Sequence, residues 1–176
     1  MLYLVRHGQT DWNLFKRCNG RTETFLNQTG IDQSERQAEN LKNVRFDACF
    51  CSPQTRARQT CEIICKNPAD IVFDGRLAEM YCGEFEGTEE TAEMMKSFMQ
   101  AIKTGDRGTE SYDNFIKRNK NFCDMIAEEY RGKNVLIVTH AANIRFIDYY
   151  FTGKPKDYDF SKTAAGSGGL LTYENP

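Results

Sequence analysis

The 176-residue chain holds two histidines, His7 and His140. Each stands directly after an apolar run with the profile of a buried strand, residues 2–5 in the first case and 135–139 in the second. A neutral imidazole is a nucleophile and can carry a proton near neutral pH. Arg6 directly precedes His7. Asn13 lies in the loop that follows, Arg56 comes after a strand-like run at 46–51, and Glu79 after a short run at 71–73. If those runs are parallel strands, all of these side chains reach the carboxyl edge of one sheet, where open α/β sheets bind ligands. Two arginines brought that close repel unless an anion lies between them, and the guanidinium fork matches a phosphate. Asn13 and backbone amides beyond the strand ends would complete such a cradle.

A phosphate held this way reacts only if something attacks it. Ser52, followed by Pro53, reads as the N-cap of a helix, and the cysteines fall in apolar, buried-looking stretches. No cluster of carboxylates is dense enough for Mg²⁺, and Cys49-x-Cys51 and Cys61-x-x-x-Cys65 lack a second pair at zinc spacing, so neither metal nor cofactor is expected. An imidazole is left as the nucleophile. Flanking arginines disfavour its protonated form and so keep it free to attack. Departure of an alcohol needs a proton, for which Glu79 is the nearest donor, and the second imidazole would stabilise charge in an in-line transition state.

The elements that must position these groups alternate. After Gly8, expected to turn the backbone sharply, comes a polar loop at 9–28, unusually aromatic for a connection, with Trp12, Phe15 and Phe25. Helical patterns are expected at 29–43, from Ser52 to 66, at 88–103, from Ser111 to about 131, and at 142–151. Met94, Met95, Phe98, Met99 and Ile102 fall at core spacing on the third of these, the profile of packing or of a flexible flap. Leu77 to Gly87 is a glycine-punctuated loop in which Glu86 reads as a structural pin, and residues 104–110 form a breaker cluster. A mobile-looking segment at 153–169 leads to a last strand at 169–173. Strands alternating with helices predict an α/β fold, a three-layer α/β/α sandwich around a mainly parallel sheet, formed by residues 1–176 as one domain.

Composition bounds the partners. A net charge of −2 gives no basic field for nucleic acid, so attraction for anions must be local. No apolar run approaches the roughly 18–20 residues that span a bilayer. The chain opens directly into a strand without signal-peptide character, and seven scattered cysteines suit reduced thiols, so a cytoplasmic location is expected.

Four motifs carry a resemblance. Leu4-Val5-Arg6-His7-Gly8-Gln9-Thr10-x-x-Asn13 is similar to the signature of the histidine phosphatase superfamily, the phosphoglycerate mutase-like proteins. Cys51-Ser52-Pro53-x-x-Arg56-Ala57-x-x-Thr60, Leu77-x-Glu79-x-x-x-Gly83-x-x-Glu86-Gly87 and Val138-Thr139-His140 resemble its second, third and fourth motifs, in the family's order. The resemblance implies that His7 is the phosphorylated nucleophile. Arg6, Arg56, His140 and Asn13 would bind the phosphoryl group, with Glu79 as the acid and base.

Two departures bear on substrate. Ala141-Ala142-Asn143 stands where the family has glycines, so the Ala141 amide can still donate but added methyls narrow the pocket. The first loop, with Gly20 and Arg21 as further candidates for substrate contact, has Phe25 in place of a proline. The expected activity is metal-independent hydrolysis of a small phosphorylated metabolite, such as a sugar or nucleoside-type phosphate. A short span between the third and fourth motifs and an early end after the last strand favour hydrolysis over a phosphoglycerate-type mutase. A catalytically idle phospho-ligand binding module is the rival from another class.

Overall fold

The computed structural model describes residues 1–65, 67–153 and 166–175. Five strands form one sheet: β1 (Leu2–Arg6), β2 (Ala48–Cys51), β3 (Ile71–Phe73), β4 (Val135–Thr139) and β5 (Leu170–Tyr173), in the order β3-β2-β4-β1-β5. The first four run parallel, and β5 closes the edge antiparallel to β1. The mainly parallel sheet predicted from the apolar runs is the one observed. Most of the connector expected at 153–169 falls at 154–165, outside the described residues.

Alternation along the strands explains the layers. Leu2, Leu4, Phe50, Val135 and Ile137 face one core, shared with Phe98, Phe115, Phe122, Ile126 and Phe146. These last belong to α4 (Ala92–Ala101), α5 (Tyr112–Glu129) and α6 (Ala141–Thr152). Val5, Cys49, Cys51, Leu136 and Val138 face a second core, built with Leu41 and with Ala57, Cys61 and Ile64. That side carries α2 (Gln28–Asn40) and α3 (Thr55–Ile64). Every residue of β4 is buried because helices cover both of its faces, as a central parallel strand requires.

Several local expectations are corrected. The loop at 9–28 contains a one-turn helix, α1 (Asp11–Leu14), closed by a capping box between Thr10 and Asn13. Ser52 and Pro53 do not open α3. Its N-cap is Gln54, without a side-chain cap, and Ser52 instead turns inward at the end of β2. Gly8 is not needed for a positive φ. A Cβ there would lie 2.3 Å from the Gly30 carbonyl oxygen, so a glycine is required where the turn after β1 passes the start of α2. Phe98 on α4 and Ile102 at its C-cap enter the core as expected, but Met95 and Met99 remain 40% and 52% exposed.

Candidate active site

Strand register brings the two histidines together. Arg6 pairs with Thr139 across the β1–β4 ladder, so the residues that follow, His7 and His140, leave the sheet side by side. The His7 amide donates to the Thr139 carbonyl at 3.0 Å, and the imidazole centroids lie 5.1 Å apart. On the other side of β4, Cys51 pairs with Val138 and the Ser52 amide donates to the Val138 carbonyl at 3.0 Å. This places the Ser52 hydroxyl 2.7 Å from His140 Nε2. Three strand ends therefore meet at the carboxyl edge of the sheet, and no single stretch of sequence contains the arrangement.

The partners of His7 decide its tautomer. Nδ1 lies 2.7 Å from the Gly8 carbonyl oxygen, which can only accept. Nε2 lies 3.3 Å from Arg56 Nε, which can only donate. Nδ1 therefore carries the proton and Nε2 presents its lone pair toward Arg56. Burial, then Arg56 and Arg6, hold the His7 pKa well below the ordinary histidine range. His140 is depressed likewise, by burial first and then by Arg56, His7 and Arg6. Its Nδ1 is buried and has no hydrogen-bond partner among the described residues.

Arg56 is fully buried on the first turn of α3. It is held there by carbonyls from the loop after α1: Nη2 donates to Gly20 at 2.8 Å and Nη1 to Thr22 at 3.0 Å. Burial lowers its pKa, while Glu79 raises it. A guanidinium held in this way stays put, with Nε aimed at His7 Nε2.

A cavity of about 370 Å³ opens on this edge, lined by Arg6, His7, Asn13, Gly20, Arg56, Glu79 and Ala141 among others. Most of the residues singled out from the sequence thus converge on one space. Asn13 Oδ1 accepts from the Thr10 amide and hydroxyl at 3.1 and 3.0 Å, which leaves its amide group as a donor. Glu79 is set by its backbone: its amide donates to Gln54 Oε1 at 2.7 Å, and its carbonyl accepts from Arg21 Nε at 3.1 Å. Arg21 does not line the cavity, and its side chain also reaches Glu110 at 3.3 Å. Glu86 holds the loop as a pin, accepting from the Arg21 amide at 2.7 Å and the Cys82 amide at 3.2 Å.

Four residues have roles at this edge that their sequence positions do not show. Ser52 reads in the sequence as a helix cap, whereas its hydroxyl meets His140. Gln54 joins two site loops, its Nε2 donating to the Gly20 carbonyl at 3.1 Å while its Oε1 receives the Glu79 amide. Thr60, one turn beyond Arg56, accepts the Gly8 amide at 3.0 Å and so fixes the turn that aims His7. Arg145, on the second turn of α6, lines the cavity and adds a cation beside Arg6. The periodicity of α6 shows it as an ordinary helical arginine, and only the sheet reveals which way it faces.

This fold and this pairing of imidazoles define a phosphoglycerate mutase-like architecture, and comparison with known proteins agrees. The chain matches the model of the histidine phosphatase superfamily (branch 1) over residues 2–166, and it belongs to that family. It is 31% identical over 157 residues to a metal-independent phosphoserine phosphatase of Arabidopsis thaliana, covering 83% of this chain and 66% of that protein. It is 32% identical over 161 residues to a 2,3-bisphosphoglycerate-dependent phosphoglycerate mutase of Gloeobacter violaceus, covering 84% of this chain and 73% of that protein. The crystal structure of the α-ribazole phosphatase of Shigella flexneri superposes with a TM-score of 0.82 at 24% identity, covering 96% of this chain and 87% of that one. No described helix is long and apolar enough to cross a membrane.

Proposed function

We propose that the protein is a metal-independent phosphomonoesterase that works through a phosphohistidine at His7. One observation carries this reading: His7 is pinned through Nδ1, with Nε2 left unprotonated and facing a cation. In the first half-reaction Nε2 attacks phosphorus, the ester P–O bond breaks, and the departing alkoxide takes a proton from Glu79. In the second, Glu79 takes a proton from water, the water oxygen attacks phosphorus, and the P–N bond breaks to release inorganic phosphate. Arg6 and Arg56 neutralise the phosphoryl oxygens throughout, and the Asn13 amide donates to them. His140 donates a hydrogen bond to them through Nδ1–H, in the tautomer selected when the Ser52 hydroxyl donates to Nε2.

The phosphatase relative supports hydrolysis, and the mutase relative keeps one rival alive, in which a second alcohol accepts the phosphoryl group in place of water. A purely binding role has no use for an unprotonated imidazole that shares a cavity with a carboxyl group. The test is turnover of an aryl phosphate in EDTA, followed by acid quench and assay for an acid-labile, base-stable phosphoprotein. His7→Ala is expected to lose at least about 10³-fold in kcat together with the trapped phosphate. Turnover that survives the substitution removes the nucleophile assignment, and loss of activity in chelator removes the metal-free claim. With a phosphoglycerate as substrate, an isomeric ester in place of inorganic phosphate would identify the mutase.

A further inference from the structure

The phosphate cavity does not end at Glu79. A second cavity of about 570 Å³ adjoins it between α4, α5 and α6, and the two share walls at Met80, Met95, Phe98, Ala142 and Arg145. Its chemistry is different. The remaining walls are mainly apolar and include Met99, Ile102, Phe115, Ile116 and Phe146, with Tyr112 at the rim. The charged side chains that line it are Arg145, Lys103 and Asp113. Met95, Met99 and Tyr112 are 40%, 52% and 41% exposed, so three large apolar groups share one rim. Isolated apolar residues on a surface are ordinary, whereas a cluster continuous with a polar site has the composition of a ligand pocket.

We infer that this second cavity holds the leaving group, and that the substrates are phosphate monoesters of alcohols with an extended apolar body. The inference rests on the phosphatase reading for the word substrate, and on the shared walls for the place. An ester whose phosphate lies between Arg6, Arg56 and His7 must direct its alcohol away from them. The wall formed by Met80, Met95, Phe98 and Ala142 leads from that point into the apolar cavity. Ala142, one of the alanines that depart from the family pattern, adds its methyl to this passage. Unbranched methionine side chains adapt to differing shapes, which suits a class of apolar bodies rather than one rigid ligand.

The test uses ligands that cannot be hydrolysed. Ethyl-, butyl-, hexyl- and octylphosphonate present the same phosphate-like head with a lengthening chain, and their Kd values can be measured by calorimetry. Each methylene that enters the cavity is expected to tighten binding about fourfold. Met99→Asp, at an exposed position, is expected to reduce that slope to less than half, the comparison being made within the variant across the series. A Kd that changes less than about 1.5-fold per methylene overturns the inference, as does a slope unaffected by Met99→Asp. Turnover of the matching alkyl phosphates, whose leaving groups are alike in basicity, is read separately. Chain-length-dependent binding without turnover would remove the hydrolase and leave the apolar cavity standing. Turnover with flat binding would do the reverse.

Discussion

Helix α3 packs against buried potential nucleophiles near each end, and burial acts on them in opposite senses. At its first turn Arg56 faces His7. At its last turn Cys61 and Cys65 meet Cys49 and Cys51 of β2, with Cys65 Sγ 3.2 Å from Cys49 Sγ and 3.9 Å from Cys61 Sγ. Low dielectric disfavours whichever form is charged. For an imidazole the neutral form is the nucleophile, so burial and adjacent arginines leave His7 competent. For a thiol the neutral form is inert. Cys49 is pushed up by its hydrogen bond to Cys65 and by burial, and Cys61 by its bond to Cys51, both far above the usual thiol range. Cys65 is drawn down by Cys49, but Cys61 and burial outweigh this and leave it at about 12. Surroundings that keep a histidine neutral by desolvation therefore make a poor cysteine site, and this protein holds both outcomes at the two ends of one helix.

The contrast can be broken at either end. Replacing Arg56 by Lys removes the fork that opposes Nε2 and the bonds to Gly20 and Thr22. A loss of about 10²–10³-fold in kcat/KM is expected, with circular dichroism confirming the fold. A loss under tenfold would mean that Arg56 only fills space.

Acidification tests the same desolvation. Folded, both imidazoles protonate only well below their ordinary range, whereas in the unfolded chain they protonate near about 6.5. As pH falls through that value the unfolded state takes up protons that the folded state refuses. Stability therefore declines toward acid by up to about 1.4 kcal/mol per pH unit for each histidine. Urea unfolding between pH 7.5 and 5.5 should show this decline, and His140→Asn should remove about half of the histidine contribution. Stability that does not change across that window would mean that neither imidazole is held neutral by the fold. Activity should diverge from stability, with kcat/KM showing no protonation loss as pH passes 6.5.

Ser52→Ala is expected to cost about tenfold in kcat by freeing the His140 tautomer, with KM changing less. An unchanged kcat would reduce Ser52 to packing. The smallest effect belongs to the thiols. Iodoacetamide at pH 7 should leave activity intact over an hour, and rapid inactivation would show a thiol more reactive than its surroundings allow.

Local pattern was sufficient for much of this protein. Four apolar runs ending in Arg6-His7, Ser52, the loop before Glu79 and His140 mark the parallel strands. The central one, β4, is apolar because helices cover both of its faces, whereas edge strand β3 leaves Val72 and Phe73 exposed. Residue type then names the chemistry, since imidazoles and guanidiniums at strand ends point to an anion. Tertiary structure decided which residue meets which. Whether Ser52 capped a helix or touched His140 depended on the register of β2 against β4, a relation between residues 88 positions apart. Whether Met95 and Met99 entered the core depended on how α4 sits against α5 and α6, because helical period marks an apolar face without saying what covers it. The orientation of Arg145 followed from the same packing. Side-chain chemistry and strand period are local properties of a chain, whereas register and the closing of cavities arise only when distant segments meet.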